Sequence, residues 1–146
     1  MSAHVPGARR VAAPKTTKVL AEILCLGVLA QAAFAGAFLG GHHPWLTWHQ
    51  RLGDFVVIVP IANLIVGMAG RRHLPEPGSM LATRVVLLAL VIGTEAAGHA
   101  GGSLLALHIP LAVATMALAV WQVTATSEGQ RADTRPSSVR ARPGSA

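Results

Sequence analysis

Residues 103–125 read SLLALHIPLAVATMALAVWQVTA, a stretch with no formal charge apart from any proton His108 takes up. At 1.5 Å per residue, an α-helix of this length spans about 35 Å, enough to cross a hydrocarbon core of about 30 Å. Three further segments read the same way. Residues 19–40 carry one charge, Glu22, near their start, and residues 55–70 carry none. Residues 81–97 carry Arg84 near one end and Glu95 near the other. Lipid offers no partner to backbone N–H and C=O groups, so such runs must be helical. The pattern predicts an all-α bundle of four transmembrane helices, up-down-up-down, over residues 17–125. The helices are expected at about 19–40, 46–69, 81–97 and 104–124, between disordered polar tails at 1–16 and 126–146.

The composition agrees, with 52% hydrophobic and 12% charged residues; a soluble chain carries about twice that charged share. The net charge of +6 is not a nucleic-acid signal, because of where it lies. Arg9, Arg10, Lys15 and Lys18 precede the first span. Arg71, Arg72 and Arg84 surround the middle loop, and Arg131, Arg135, Arg140 and Arg142 follow the last span. Only Arg51 falls on the other side. By the positive-inside rule both termini and the middle loop are cytoplasmic. The basic start and Ala30-Gln31-Ala32 also resemble a cleavable signal peptide, but the apolar run continues to Gly40, which favours a retained span. The single cysteine, Cys25, lies in the first span and reads as a packing thiol.

Trp45 and Trp48 fall at the outer interface and Trp121 at the inner one. Pro60, in the middle of the second span, is expected to kink it. Ala32, Gly36 and Gly40 form a small face for close helix approach, and a route to a homodimer or a larger complex. Two hairpins resemble each other. Gln31-Ala32-Ala33 matches Glu95-Ala96-Ala97, Gly41-His42 matches Gly98-His99, and Leu46, His49, Leu52 and Gly53 match Leu105, His108, Leu111 and Ala112. Both hairpins start on the same side, so the repeat is parallel, with its two-fold along the membrane normal. It makes His49 and His108 symmetry mates at the bundle axis.

That pair carries the functional reading. Each histidine lies about one turn inside a span and heads one face: His49, Gly53, Val56, Asn63 in one, His108, Ala112, Thr115, Gln122 in the other. Intramembrane ionisable groups usually face the bundle interior. Two imidazoles at equal depth are suited to ligating one haem b iron from both sides, with Gly53 and Ala112 clearing the porphyrin face and Arg51 pairing with a propionate. A doubly ligated iron serves electron transfer or haem handling. The alternative is a pair of hydrogen-bonded structural histidines in an accessory subunit without cofactor. His42, His43 and His99 read as solvated loop residues, with no closed metal-ligand set.

The HQRLG that begins at His49 and the LHIPLA around His108 resemble the histidine-bearing helix starts of haem A synthase, over roughly residues 19–124. The resemblance is to one half of that family and implies haem ligation by these two histidines. The chain is also similar to small four-helix membrane proteins of high-GC bacteria that carry the same two positions. It departs from the synthase in having one half, no paired loop cysteines, and Leu46 where a carboxylate precedes the histidine of the second helix. Haem A synthesis is therefore not expected, and no catalytic residue is assigned.

The remaining polar groups have simple readings. Glu22 pairs with Lys18 one turn away; a carboxylate in the first helix also allows a small proton-coupled transporter using Glu22 or Glu95. Asp54 is placed to orient a histidine of another helix or to pair with Arg51. Glu95 lies one turn before His99, and Asn63 and Gln122 cross-link helices. No phosphate loop, nucleophile elbow or zinc-protease motif is present.

Overall fold

The computed structural model describes residues 13–70 and 78–133. The expected tails beyond these bounds, and the middle loop with Arg71, Arg72 and His73, lie outside the described residues. Five α-helices and a 3-10 turn make four spans: α1 (Ala13–Leu39), α2 (Pro44–Val56), α3 (Ile58–Gly70), α4 (Gly78–Ala100), the turn Gly102–Leu104, and α5 (Leu105–Asp133). There is no strand among the described residues. The four spans are 25, 27, 23 and 27 residues long and apolar enough to cross a membrane, so the chain is a multi-pass membrane protein.

The second span is two helices because of Pro60. Its ring cannot donate to the Val56 carbonyl and crowds it. The helix breaks at Val57, whose N–H reaches Gly53 O only at 3.4 Å. The disturbance expected at Pro60 is thus confined to Val57, which keeps helical dihedrals (φ −60°, ψ −31°). The end of α1 is a Schellman cap: His42 N–H donates to Ala37 O (3.1 Å) and Gly41 N–H to Phe38 O (3.0 Å). Gly41 closes it at φ 93°, a conformation that suits glycine. Pro44 then starts α2 at a position where no N–H is needed.

Helix ends run past the sequence-based bounds. The last helix, expected to stop near 124, continues to Asp133. Thr126 and Ser127 hydroxyls donate back to Gln122 O and Val123 O at 2.8 Å, so these residues satisfy themselves within the helix instead of opening it. At the other terminus α1 starts at Ala13, and Thr17 is buried.

Around the bundle, α1 borders the α2–α3 span and α5, and α4 borders α3 and α5. The α2–α3 span and α5 are therefore diagonal across the axis. Large apolar side chains face outward, among them Leu26 (66% exposed), Phe55 (67%) and Ile65 (60%). Thr17, Asn63, Arg84, Thr94, Thr115, Gln122 and Thr126 are buried. Apolar outside and polar inside is the arrangement lipid imposes, since polar groups must find partners within the protein. A small apolar layer of Leu24, Val56, Leu87, Val91 and Ala119 fills the centre.

Candidate functional site

Two pairs meet across the diagonal. Asn63 Nδ2 donates to Gln122 Oε1 at 2.7 Å, and the two residues are 59 apart in sequence. His49 and His108 have the same separation, and their rings meet edge to face with centroids 5.9 Å apart and planes at 68°. These are the mates expected from the hairpin repeat. The faces that run from each histidine to each amide bring Gly53, Val56, Thr115 and the amides into the interior.

Each histidine is tied to the helix before it. His49 Nδ1 donates to Gln31 O at 3.0 Å, and His108 Nδ1 donates to Thr94 O at 2.8 Å. A carbonyl only accepts, so the proton of each neutral ring sits on Nδ1 and Nε2 keeps its lone pair. Among the described residues, no protein hydrogen bond engages Nε2 of either ring. The room for the His108 ring comes from Gly98: a methyl group there would stand 2.9 Å from Nδ1.

Glu95 enters the same space from α4. A methyl group on Gly53 would stand 2.5 Å from Glu95 Oε2 and 2.8 Å from Gln31 Nε2. The notch at Gly53 is thus taken by a carboxylate and an amide, whereas the sequence reading gave it to a porphyrin face. Ala112, the other clearance residue, does line a cavity. Near the surface, His99 Nε2 lies 3.4 Å from Asp54 Oδ1 and 4.0 Å from Glu95 Oε2. Asp54 and Glu95 both reach His99, as their placement suggested.

His49, His108, Glu95 and Gln31 form the polar end of a cavity of about 440 Å³. Its walls are aliphatic, with Ala32, Ala35 and Gly36 from α1 and Ala112, Val113 and Met116 from α5. The hydroxyls of Thr94 and Thr115 are spent on Leu90 O and Leu111 O at 2.8 and 2.9 Å. Gln31 Oε1 is buried with no hydrogen-bond partner among the described residues. Acceptors dominate the polar atoms, with two imidazole Nε2, an amide oxygen and a carboxylate beside one amide donor, Gln31 Nε2. Such a set suits a Lewis acid or a hydrogen-bond donor. Among the described residues no three His, Cys, Asp or Glu side chains converge as a metal site.

Other expected residues lie elsewhere. Arg51 is at the histidine end of α2, its guanidinium 5.9 Å from the Trp48 ring centroid, and does not line the cavity. Glu22 sits 3.6 Å from Lys18 on a half-exposed face, away from the cavity. His43 is edge-on to Phe38. Cys25 packs beside the apolar layer. The close helix approach expected at Ala32, Gly36 and Gly40 occurs at Gly27, where a methyl group would stand 2.9 Å from Val56 Cγ2; at Gly36 it would meet nothing within 4 Å. Arg84, read as a loop-flanking charge, is 2% exposed, with its guanidinium in the notch of Gly67. Its one sequence signal is its register with the buried Leu87, Val91 and Thr94. No protein-family model, curated protein or solved structure matches this chain.

Proposed function

We propose that this chain is a small b-type haem protein of the bacterial cytoplasmic membrane, with both termini in the cytoplasm and His49 and His108 as axial ligands. The observation that carries the reading is the imidazole pair: each ring is held through Nδ1 by a backbone carbonyl, and the centroids are 5.9 Å apart. Two imidazoles on opposite sides of one metal ion have centroids about 6 Å apart, from metal–nitrogen bonds of about 2.0 Å plus the ring radius. Metal-bound histidines characteristically donate their other N–H to a carbonyl or carboxylate, which fixes the ring and its tautomer. The apolar cavity is within the size range of cofactor pockets. Arg51 supplies a cation at that end for a propionate. A haem iron held by two histidines exchanges electrons and leaves no site for oxygen, so the role is electron transfer or haem handling.

Two structural histidines would make the same Nδ1 bonds, so the test is spectroscopic. The protein is expressed with ample haem, purified in detergent, and its reduced-minus-oxidised spectrum recorded. The proposal expects a low-spin haem signal that both His49→Ala and His108→Ala abolish. A wild-type protein without haem, or a signal that survives either substitution, overturns it.

A further inference from the structure

We infer that the cavity is filled sideways from the bilayer, through the seam between α1 and α5, by a planar and largely apolar ligand with a Lewis-acidic centre. The identity of the ligand rests on the haem reading; the path rests on the geometry alone.

The other seams are each closed by a side chain seated in a glycine notch. Val56 meets Gly27 between α2 and α1, and Glu95 meets Gly53 between α4 and α2. Arg84 fills the Gly67 notch between α4 and α3, and His108 meets Gly98 between α5 and α4. The seam of α1 with α5 differs at the level of Gly36. Gly36 lines the cavity, and the position of its missing Cβ has no atom within 4 Å. Leu29, Leu39, Ile109 and Val113, which flank that opening, are 55, 82, 66 and 64% exposed. In a membrane that exposure is to acyl chains.

Side chains crowd the aqueous end of the cavity. No residue of the connections 40–43 or 101–104 lines the cavity. Glu95 and Gln31 occupy the Gly53 notch at its polar end, and His99 bridges Asp54 and Glu95 beyond them. Phe34 stacks on Trp45 with centroids 5.1 Å apart, covering the ends of α1 and α2. A ligand that comes from lipid meets aliphatic walls first and reaches the acceptor groups last. That order matches an apolar macrocycle whose metal centre is captured at the end of the path.

The test uses the full chain in liposomes. Haem is presented either in protein-free vesicles or on a water-soluble carrier, and the appearance of the low-spin spectrum is timed. Gly36→Phe, which builds into open space, is expected to slow loading from vesicles on the order of tenfold. Ile92→Phe, on an exposed face of α4 away from the cavity, is expected to leave the rate unchanged. Equal rates for wild type and Gly36→Phe overturn the path. A second measurement needs no haem. In a Cys25→Ala background, a bimane label on Ala112→Cys is quenched by brominated acyl chains or by aqueous iodide. Quenching by the lipid, relieved by Gly36→Phe, supports the lateral path even if the protein binds no haem. Quenching by iodide and not by the lipid overturns it, whatever the spectra show.

Discussion

Gly27 and Gly36 lie on the same helix and are the same residue, yet substitution at the two positions should have opposite effects. At Gly27 an added methyl group stands 2.9 Å from Val56 Cγ2. Ordinary contact begins near 3.4 Å, so Val56 or the helix must shift by about half an ångström. Val56 is 6% exposed, packed in the central layer, and β-branched, so it has little freedom to move. Overpacking of this kind costs about 1–3 kcal/mol. At Gly36 the methyl group meets nothing. Both substitutions gain the helix preference of alanine, about 0.8–1.0 kcal/mol over glycine. The gain is common to the two, so the difference between Gly27→Ala and Gly36→Ala isolates the contact: about 1–3 kcal/mol, with Gly36→Ala the more stable. Reversible unfolding in mixed detergent–SDS micelles, followed by far-ultraviolet circular dichroism, measures it. Val56→Ala should remove most of the difference. Equal stabilities within about 0.5 kcal/mol, the limit for independent sites, would refute the assignment of Gly27 as the closed seam and Gly36 as the open one.

Three further outcomes follow from the geometry. Gly67→Ala, whose methyl group would overlap the Arg84 guanidinium, should be about 1–3 kcal/mol less stable than Gly36→Ala, which carries the same alanine gain, in the same unfolding assay; equal stabilities contradict the seat of Arg84. A double-mutant cycle on Asn63→Leu and Gln122→Leu should return a coupling of about 0.6–1.7 kcal/mol, the range for interhelical hydrogen bonds in membranes, and zero coupling means the two faces do not meet at the axis. Asp54→Asn should change stability by less than about 1 kcal/mol, because its pair with His99 is exposed on both sides; a larger loss at low salt shows that this pair is structural.

What was legible in the sequence is what periodicity and charge encode. The near absence of charge in residues 55–70 and 103–125 fixes two spans, and Pro60 marks where one breaks. The matched faces below His49 and His108 locate both axial pairs, because apolar helices in lipid bury their few polar residues. Less legible were the glycines. A small residue serves both to let a neighbour in and to leave a space, and nothing local separates Gly27 from Gly36. Arg84 shows a related difficulty: a charge near a span end reads as a flank until Gly67, on another helix, is known to open a notch for it. Glu95 reaches the histidine end because Gly53, from a different helix, gives it room. These are pairings between distant segments, and pattern within one helix does not contain them. The extension of α5 to Asp133 depends on hydroxyls that serve their own helix, a choice that composition alone does not make.

The central claim is that two imidazoles ligate one iron with the relative orientation they already hold. Electron paramagnetic resonance of the ferric, haem-loaded protein tests it most directly. Rings at 68° are close to perpendicular, which makes the two iron orbitals that interact with them nearly equal in energy. The account predicts a low-spin ferric signal of high anisotropy, stoichiometric with the chain and lost in both His49→Ala and His108→Ala. A high-spin signal, or a low-spin signal that either variant retains, contradicts it.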